Sequence, residues 1–200
     1  KYVSAPGALA LNSCTAALHT ALTTLGIGRG EEVITTPMTF AATVNVIEHL
    51  GARPVLVDVE PDTLNLDPRH LEGAISSLTR AIVVVHYAGH PADMELIDAV
   101  AAANGLPVVE DAAHALPARS GTRMIGAGPN LAAFSFYATK NLTTGEGGML
   151  TGDPEFLARA RVLSLHGLSR GARARYQRGG DWRYEVLFPG FKYNMTDLQA

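Results

Sequence analysis

Lysine is scarce in this chain. Of its 200 residues only Lys1, Lys140 and Lys192 are lysines, and every other cation is an arginine. Lys140 lies between an apolar run and the glycine-rich Thr143-Thr-Gly-Glu-Gly-Gly148. A lysine amine can lose its proton and form a Schiff base, whereas a guanidinium cannot. The bland alternative is a surface lysine. Asp111 closes the apolar stretch Pro107-Val-Val-Glu110. A carboxylate at a buried strand end wants a cationic partner. A protonated pyridine nitrogen would serve, and its charge would make the ring an electron sink. Capping of a helix over Ala112–Ala115 is the competing role.

Asn12-Ser-Cys-Thr-Ala-Ala17 leads from an apolar run into a helical pattern. Backbone N–H groups and hydroxyls at a helix start form a phosphate site. Simple N-capping by Ser13 or Thr15 explains the same residues. Neither a Gly-x-x-x-x-Gly-Lys-Ser/Thr loop nor a Gly-x-Gly-x-x-Gly turn follows the first strand, which argues against P-loop hydrolysis and ordinary dinucleotide binding. His86 and His90 are interrupted by Gly89 and followed by Pro91, so no helix turns them to one face. With no carboxylate at ligand spacing, no metal site is expected. Phe40 is either core or a ring that stacks on an aromatic cofactor. Cys14 reads as inert packing beside the phosphate loop. Trp182, the only tryptophan, either anchors a subunit or substrate contact or plugs a local cluster.

These residues sit at the ends of apolar runs: Ala8–Leu11, Val33–Thr36, Val55–Asp58, Ile82–Val85, Pro107–Glu110, Ala132–Phe136 and Gly148–Thr151. Several are nearly continuous, which suits strands buried on both faces. Helical patterns over 15–25, 39–50, 67–78, 92–104 and from Pro154 to about His166 alternate with them. The alternation predicts an α/β fold: a three-layer α/β/α sandwich on a mainly parallel seven-stranded sheet. The last two strands are too close for a comfortable helical crossover, so one antiparallel strand is expected. Ligands of such sheets bind outside the carboxyl ends of the strands.

With 47% apolar and 18% charged residues the chain can bury a core. A formal charge of −3 excludes a generally basic nucleic-acid binder. From Arg159 to Ala200, eight Lys/Arg face three acids, so this stretch is +5 and residues 1–158 carry −8. It is either a solvated basic surface or a patch for an anionic small molecule. One cysteine permits no disulfide within the chain. There is no secretory pattern at the start and no uncharged apolar run of about 18 residues, so no membrane span and a cytoplasmic location are expected.

The segments Asn12-Ser-Cys-Thr-Ala-Ala-Leu-His19, Glu32-Val-Ile-Thr-Thr-Pro-Met-Thr-Phe-Ala-Ala-Thr43, Glu110-Asp-Ala-Ala-His-Ala115, Ser135-Phe-Tyr-Ala-Thr-Lys-Asn-Leu-Thr-Thr-Gly-Glu-Gly-Gly148 and Gly190-Phe-Lys-Tyr-Asn-Met-Thr-Asp-Leu-Gln-Ala200 together resemble the DegT/DnrJ-type sugar aminotransferases. These are enzymes dependent on pyridoxal 5'-phosphate (PLP), with the aspartate-aminotransferase fold. The resemblance follows the family's order and covers nearly the whole chain. It implies that Lys140 carries PLP as a Schiff base and shuttles the proton. It implies that Asp111 pairs with the pyridine nitrogen and that Phe40 stacks on the ring. Thr15, Ala16 and Ser135 would hold the phosphate, and His114 would sit near the ring and its phenolic oxygen. Asn194, or Lys192, would reach the cofactor of a neighbouring subunit, so a homodimer with shared sites is implied.

The implied reaction is amino transfer, with glutamate as donor, onto a keto group of a nucleotide-linked sugar, and the basic segment would face the substrate diphosphate. Family members are much longer. Residues 1–200 are therefore expected to be the PLP-binding large domain, with an N-terminal segment and a small C-terminal domain outside them. Other readings are a PLP-dependent sugar dehydrase, a non-catalytic regulator on the same fold, or a plain nucleotide-binding α/β domain. Relatives close to this pattern that dehydrate or deoxygenate sugars carry His in place of the Schiff-base lysine, and Lys140 argues against them.

Overall fold

The computed structural model describes residues 1–169 and 183–200. The arginine-rich stretch from Arg170 to Arg178, and Trp182, lie outside the described residues. Strands β1 (Gly7–Leu11), β2 (Glu32–Thr35), β3 (Arg53–Leu56), β4 (Thr79–Val85), β5 (Val108–Asp111), β8 (Leu131–Ser135) and β9 (Gly148–Gly152) form one seven-stranded sheet. Its order is β1-β9-β8-β5-β4-β2-β3. β9 pairs antiparallel with both neighbours, and the remaining pairs are parallel. The expected fold, with its single antiparallel strand, is therefore the observed one. The reversal falls where the linker 136–147 holds no helix to carry the chain back across the sheet.

Period-two alternation sends successive side chains into two apolar layers. On β4, Ala81 and Val83 join Leu18, Leu22, Val46 and Ile47 of α1 (Cys14–Thr24) and α2 (Ala41–His49). Ile82 and Val84 instead meet Leu71 of the short α3 (Leu71–Ala74) and Met94 and Ile97 of α4 (Met94–Ala103). A third cluster gathers Ala132, Phe134 and Phe136 with Ala112, Ala115 and Ile125. Each fully buried Leu or Ile contributes about 1.5–3 kcal/mol of transfer free energy, and such burial holds the helices to the sheet.

Three local expectations need correction. The pattern over 67–78 yields a 3-10 turn at Pro68–His70 and only Leu71–Ala74 as α-helix. Ser76 ends it: its backbone N–H donates to Thr79 Oγ1 and its hydroxyl to Glu32 Oε2, both strong alternatives to a helix. The helix α5 (Pro154–Leu163), capped by Asp153, stops before His166, which has a φ of 57°. A small hairpin, β6 (Arg119–Ser120) with β7 (Arg123–Met124), occupies a stretch given no element from the sequence. The last residues form a turn, in which Gln199 Oε1 accepts from the N–H and hydroxyl of Thr196. No helix among the described residues is long and apolar enough to cross a membrane.

Candidate active site

The parallel strands β4, β5 and β8 are neighbours, so His86, Asp111 and Ser135 emerge at one edge of the sheet. On β5, Val109 packs into the α1–α2 layer and Val108 into the opposite one. Asp111 shares the face of Val109, and Glu110 that of Val108. Asp111 is buried, and its two oxygens are met from three directions. Oδ2 accepts the Thr43 hydroxyl at 2.7 Å. Oδ1 accepts the Ala113 N–H at 3.2 Å and faces the Cys14 thiol at 3.9 Å. No helix forms over Ala112–Ala115, so helix capping does not account for this carboxylate. Burial, and next the Asp111 carboxylate, push the Cys14 thiol well above its ordinary range, so it stays a protonated donor.

Lys140 follows β8 by a short turn, in which its N–H donates to the Tyr137 carbonyl. Its Nζ lies 2.7 Å from His114 Nε2. An ammonium only donates, so this His114 nitrogen accepts. Burial, and then the Lys140 charge, lower the His114 proton affinity below its ordinary value, which agrees with a neutral ring. His114 is fixed from behind by the turn Tyr87–Gly89. A Cβ on Gly89 would come within 2.6 Å of the His114 carbonyl oxygen, and Gly89 has a φ of +84°. Ala88 beside it also adopts a left-handed φ of 51°. Asn65 clamps this turn, accepting from the Tyr87 N–H at 2.9 Å and donating to the His90 carbonyl at 3.1 Å.

A cavity of about 290 Å³ is lined by Asp111, Phe40, Thr39, Ala113, His114 and the 86–88 turn. A smaller one of about 30 Å³ holds Lys140 and Ser135, and Ala113 and His114 border both. The two adjoin at these residues and are together referred to as the cleft. Phe40 is 80% exposed at its lip, so it is not part of the core. A larger cavity of about 830 Å³ lies by Tyr2, Leu116 and Met149 and is mostly apolar. It lacks the convergent polar groups that mark a reaction site.

Thr15 and Ala16 stand in the first turn of α1, with Cys14 linking that turn to Asp111. The Ala16 N–H donates to Ser13 Oγ at 3.0 Å, so Ser13 is the cap. A Cβ on Gly148 would lie 2.3 Å from the Ser13 carbonyl carbon. The glycine-rich stretch after Lys140 thus lets β9 press its backbone against the start of α1. Asn194 sits beside Leu11 on the same side, and Lys192 Nζ donates to its Oδ1. Neither lines the cleft described above.

Of the residues singled out from the sequence, the structure gathers Phe40, Asp111, His114, Ser135 and Lys140 into one cleft. Thr15, Ala16, Lys192 and Asn194 lie away from its lining. Thr43, which sequence reasoning passed over, bonds Asp111 directly; its signal was its place one turn after Thr39-Phe40. Among the described residues, no group of three or more His, Cys, Asp or Glu could hold a metal.

The family model for the DegT/DnrJ/EryC1/StrS aminotransferase family matches residues 1–200. The chain belongs to that family. Among curated relatives, it is 56% identical over 200 residues to the spore coat polysaccharide biosynthesis protein SpsC of Bacillus subtilis (strain 168), covering 100% of this chain and 51% of SpsC. Among solved structures, DesV of S. venezuelae, in complex with a ketimine intermediate, superposes with a TM-score of 0.90 at 40% identity, covering 99% of this chain and 51% of DesV. The PLP form of a putative sugar aminotransferase, Spr1654 of Streptococcus pneumoniae, gives 0.90 at 35% identity, covering 99% and 54%. The chain thus spans about half the length of the relatives it matches.

The residues of the cleft fit PLP. A buried carboxylate already supplied with neutral donors and an exposed aromatic ring border the 290 Å³ cavity, and a lysine amine stands in the adjoining one, beside the His114 that lines both.

Proposed function

We propose that residues 1–200 form the cofactor-binding large domain of a PLP-dependent aminotransferase, which moves an amino group from glutamate to a keto group of a nucleotide-linked sugar. The observation that carries this reading is the pairing of Lys140 Nζ with His114 Nε2, at the border of the cavity that Asp111 lines. When bound, PLP supplies an electron sink that no side chain offers.

Lys140 would anchor the cofactor covalently through Nζ and, once released, carry the proton at that same atom. His114, neutral, accepts a hydrogen bond from Lys140 and so orients it. Asp111 would face the ring nitrogen as an acceptor, with its carboxylate held by Thr43 and Ala113. Phe40 would cover the open face of the ring and exclude water there. Ser135 and the first turn of α1, at Thr15 and Ala16, would receive the phosphate. Asn194, or Lys192 beside it, would reach the cofactor of a partner subunit in a homodimer. The names of SpsC and of the putative sugar aminotransferase Spr1654 support a sugar substrate. The cytoplasmic location and the diphosphate contact of the basic segment belong to the same proposal.

The test is addition of PLP to the full-length protein, borohydride reduction and peptide mass mapping. A modification confined to Lys140, followed by turnover of a keto nucleotide-sugar with glutamate, is the expected result. An unmodified Lys140 in that protein would overturn the reading.

A further inference from the structure

A threonine in a helix can bond its hydroxyl back to the carbonyl four residues earlier. The half-buried Thr23 and Thr24 of α1 do so, donating to His19 O and Thr20 O, both at 2.7 Å. Thr43, fully buried on α2, does not. Its hydroxyl crosses to β5 and meets Asp111 Oδ2 at 2.7 Å. Its Oγ1 also lies 2.7 Å from Thr39 Oγ1. Hydrogen counting fixes the direction of this chain. Thr43 has one hydroxyl proton and Asp111 as a carboxylate only accepts, so that proton points to Asp111. Thr39 must then donate to Thr43.

The same counting shows what the two oxygens of Asp111 have left to accept. Oδ1 takes the Ala113 N–H and Oδ2 the Thr43 hydroxyl, while the single Cys14 thiol proton has a nearer acceptor in the Ala133 carbonyl, at 3.4 Å against 3.9 Å to Oδ1. A carboxylate oxygen offers about two acceptor sites. Each oxygen therefore keeps a site for a further donor in the cleft, and Thr43 provides the shortest contact, at 2.7 Å, that holds the carboxylate in place. We propose that Thr43 is a positioning residue that, oriented by Thr39, fixes the Asp111 carboxylate so that it receives the protonated ring nitrogen of the cofactor. This rests on the PLP reading above.

The experiment uses the full-length protein with Thr43→Val, Thr43→Ser and Thr39→Val, titrated with PLP and followed by the pH dependence of the bound-cofactor absorption. Thr43→Val keeps the shape and removes the donor. It is expected to weaken PLP binding about tenfold, the usual worth of a hydrogen bond to a charged group, and to shift the absorption pH profile. Thr43→Ser should stay within about twofold of the parent, and Thr39→Val should move both readouts in the same direction by less. A parental affinity and pH profile in Thr43→Val overturns the inference, as does a Thr43→Ser as impaired as Thr43→Val. Should Thr43→Val not fold, Thr39→Val decides: a shifted profile supports the inference and a parental one overturns it. A parent protein that binds no PLP overturns the cofactor reading itself, a result distinct from any of these.

Discussion

Glu110 and Asp111 are adjacent on β5, both acidic and almost equally hidden, at 2% and 6% exposed. Their surroundings differ. Glu110 is closed off by protein: Oε2 accepts from His86 Nε2 at 3.0 Å and Oε1 from Asn130 Nδ2 at 3.2 Å. His86 Nδ1 in turn accepts the Ala92 N–H, which assigns the ring proton to Nε2. Asp111 also has donors, yet one side of it borders the cleft. Burial therefore does not separate a structural carboxylate from a functional one. What separates them is whether the protein completes the polar shell or leaves part of it to a ligand.

The largest effect expected on the cleft side is that of Lys140→Ala, which should lower turnover by at least about a thousandfold by removing the anchor and the proton carrier together. Borohydride trapping at this position should vanish while the thermal midpoint holds. Next, Asp111→Asn should cost about a hundredfold or more in kcat/KM and less stability than Glu110→Gln, since the Thr43 hydroxyl can turn to accept from the new amide. Glu110→Gln should do the reverse, destabilising the fold by about 1–3 kcal/mol, because an amide must oppose one donor with another. Urea unfolding and PLP titration of both variants would erase the comparison if the two behaved alike.

Smaller effects sharpen it. Gly89→Ala should displace His114 and destabilise by about 2 kcal/mol, since the Cβ meets a backbone oxygen in a left-handed conformation. Ala88→Gly next to it should be neutral or stabilising by up to about 1 kcal/mol, because it relieves the same backbone strain. Denaturant midpoints of the pair would test this. The smallest effect concerns pH. His114 binds its proton less readily in the fold than in the unfolded chain, through burial and then Lys140. Its contribution to stability is complete above its ordinary value of 6.5 and is lost as pH falls below that. In Lys140→Met, NMR titration should find His114 taking up its proton at a higher pH than in the parent.

Much of this was legible in the residues. The apolar runs located all seven strands of the sheet, because strands buried on both faces leave continuous Val, Ile and Leu. The short linker before β9 foretold its reversal. Lys140 and Asp111 stood out because a rare lysine and a carboxylate beside apolar runs need an explanation. The helix over 67–78 was misread because Ser76 offers its hydrogen bonds to Thr79 and Glu32, partners that a periodicity pattern does not contain. Thr43 was passed over for the same reason. In the sequence it is one more threonine in an amphipathic run, and its partner lies 68 residues away.

The sequence by itself determined the layer architecture and which residue types could do chemistry, since both follow from local apolar patterning and from the rarity of certain side chains. Tertiary structure alone decided which of them meet. It brought Thr43 and Cys14 to Asp111 and set His114 against Lys140. It also turned Glu110 away into a sealed network with His86. Those outcomes depend on strand order and on the face each residue takes, and a one-residue change of register would exchange the roles of Glu110 and Asp111.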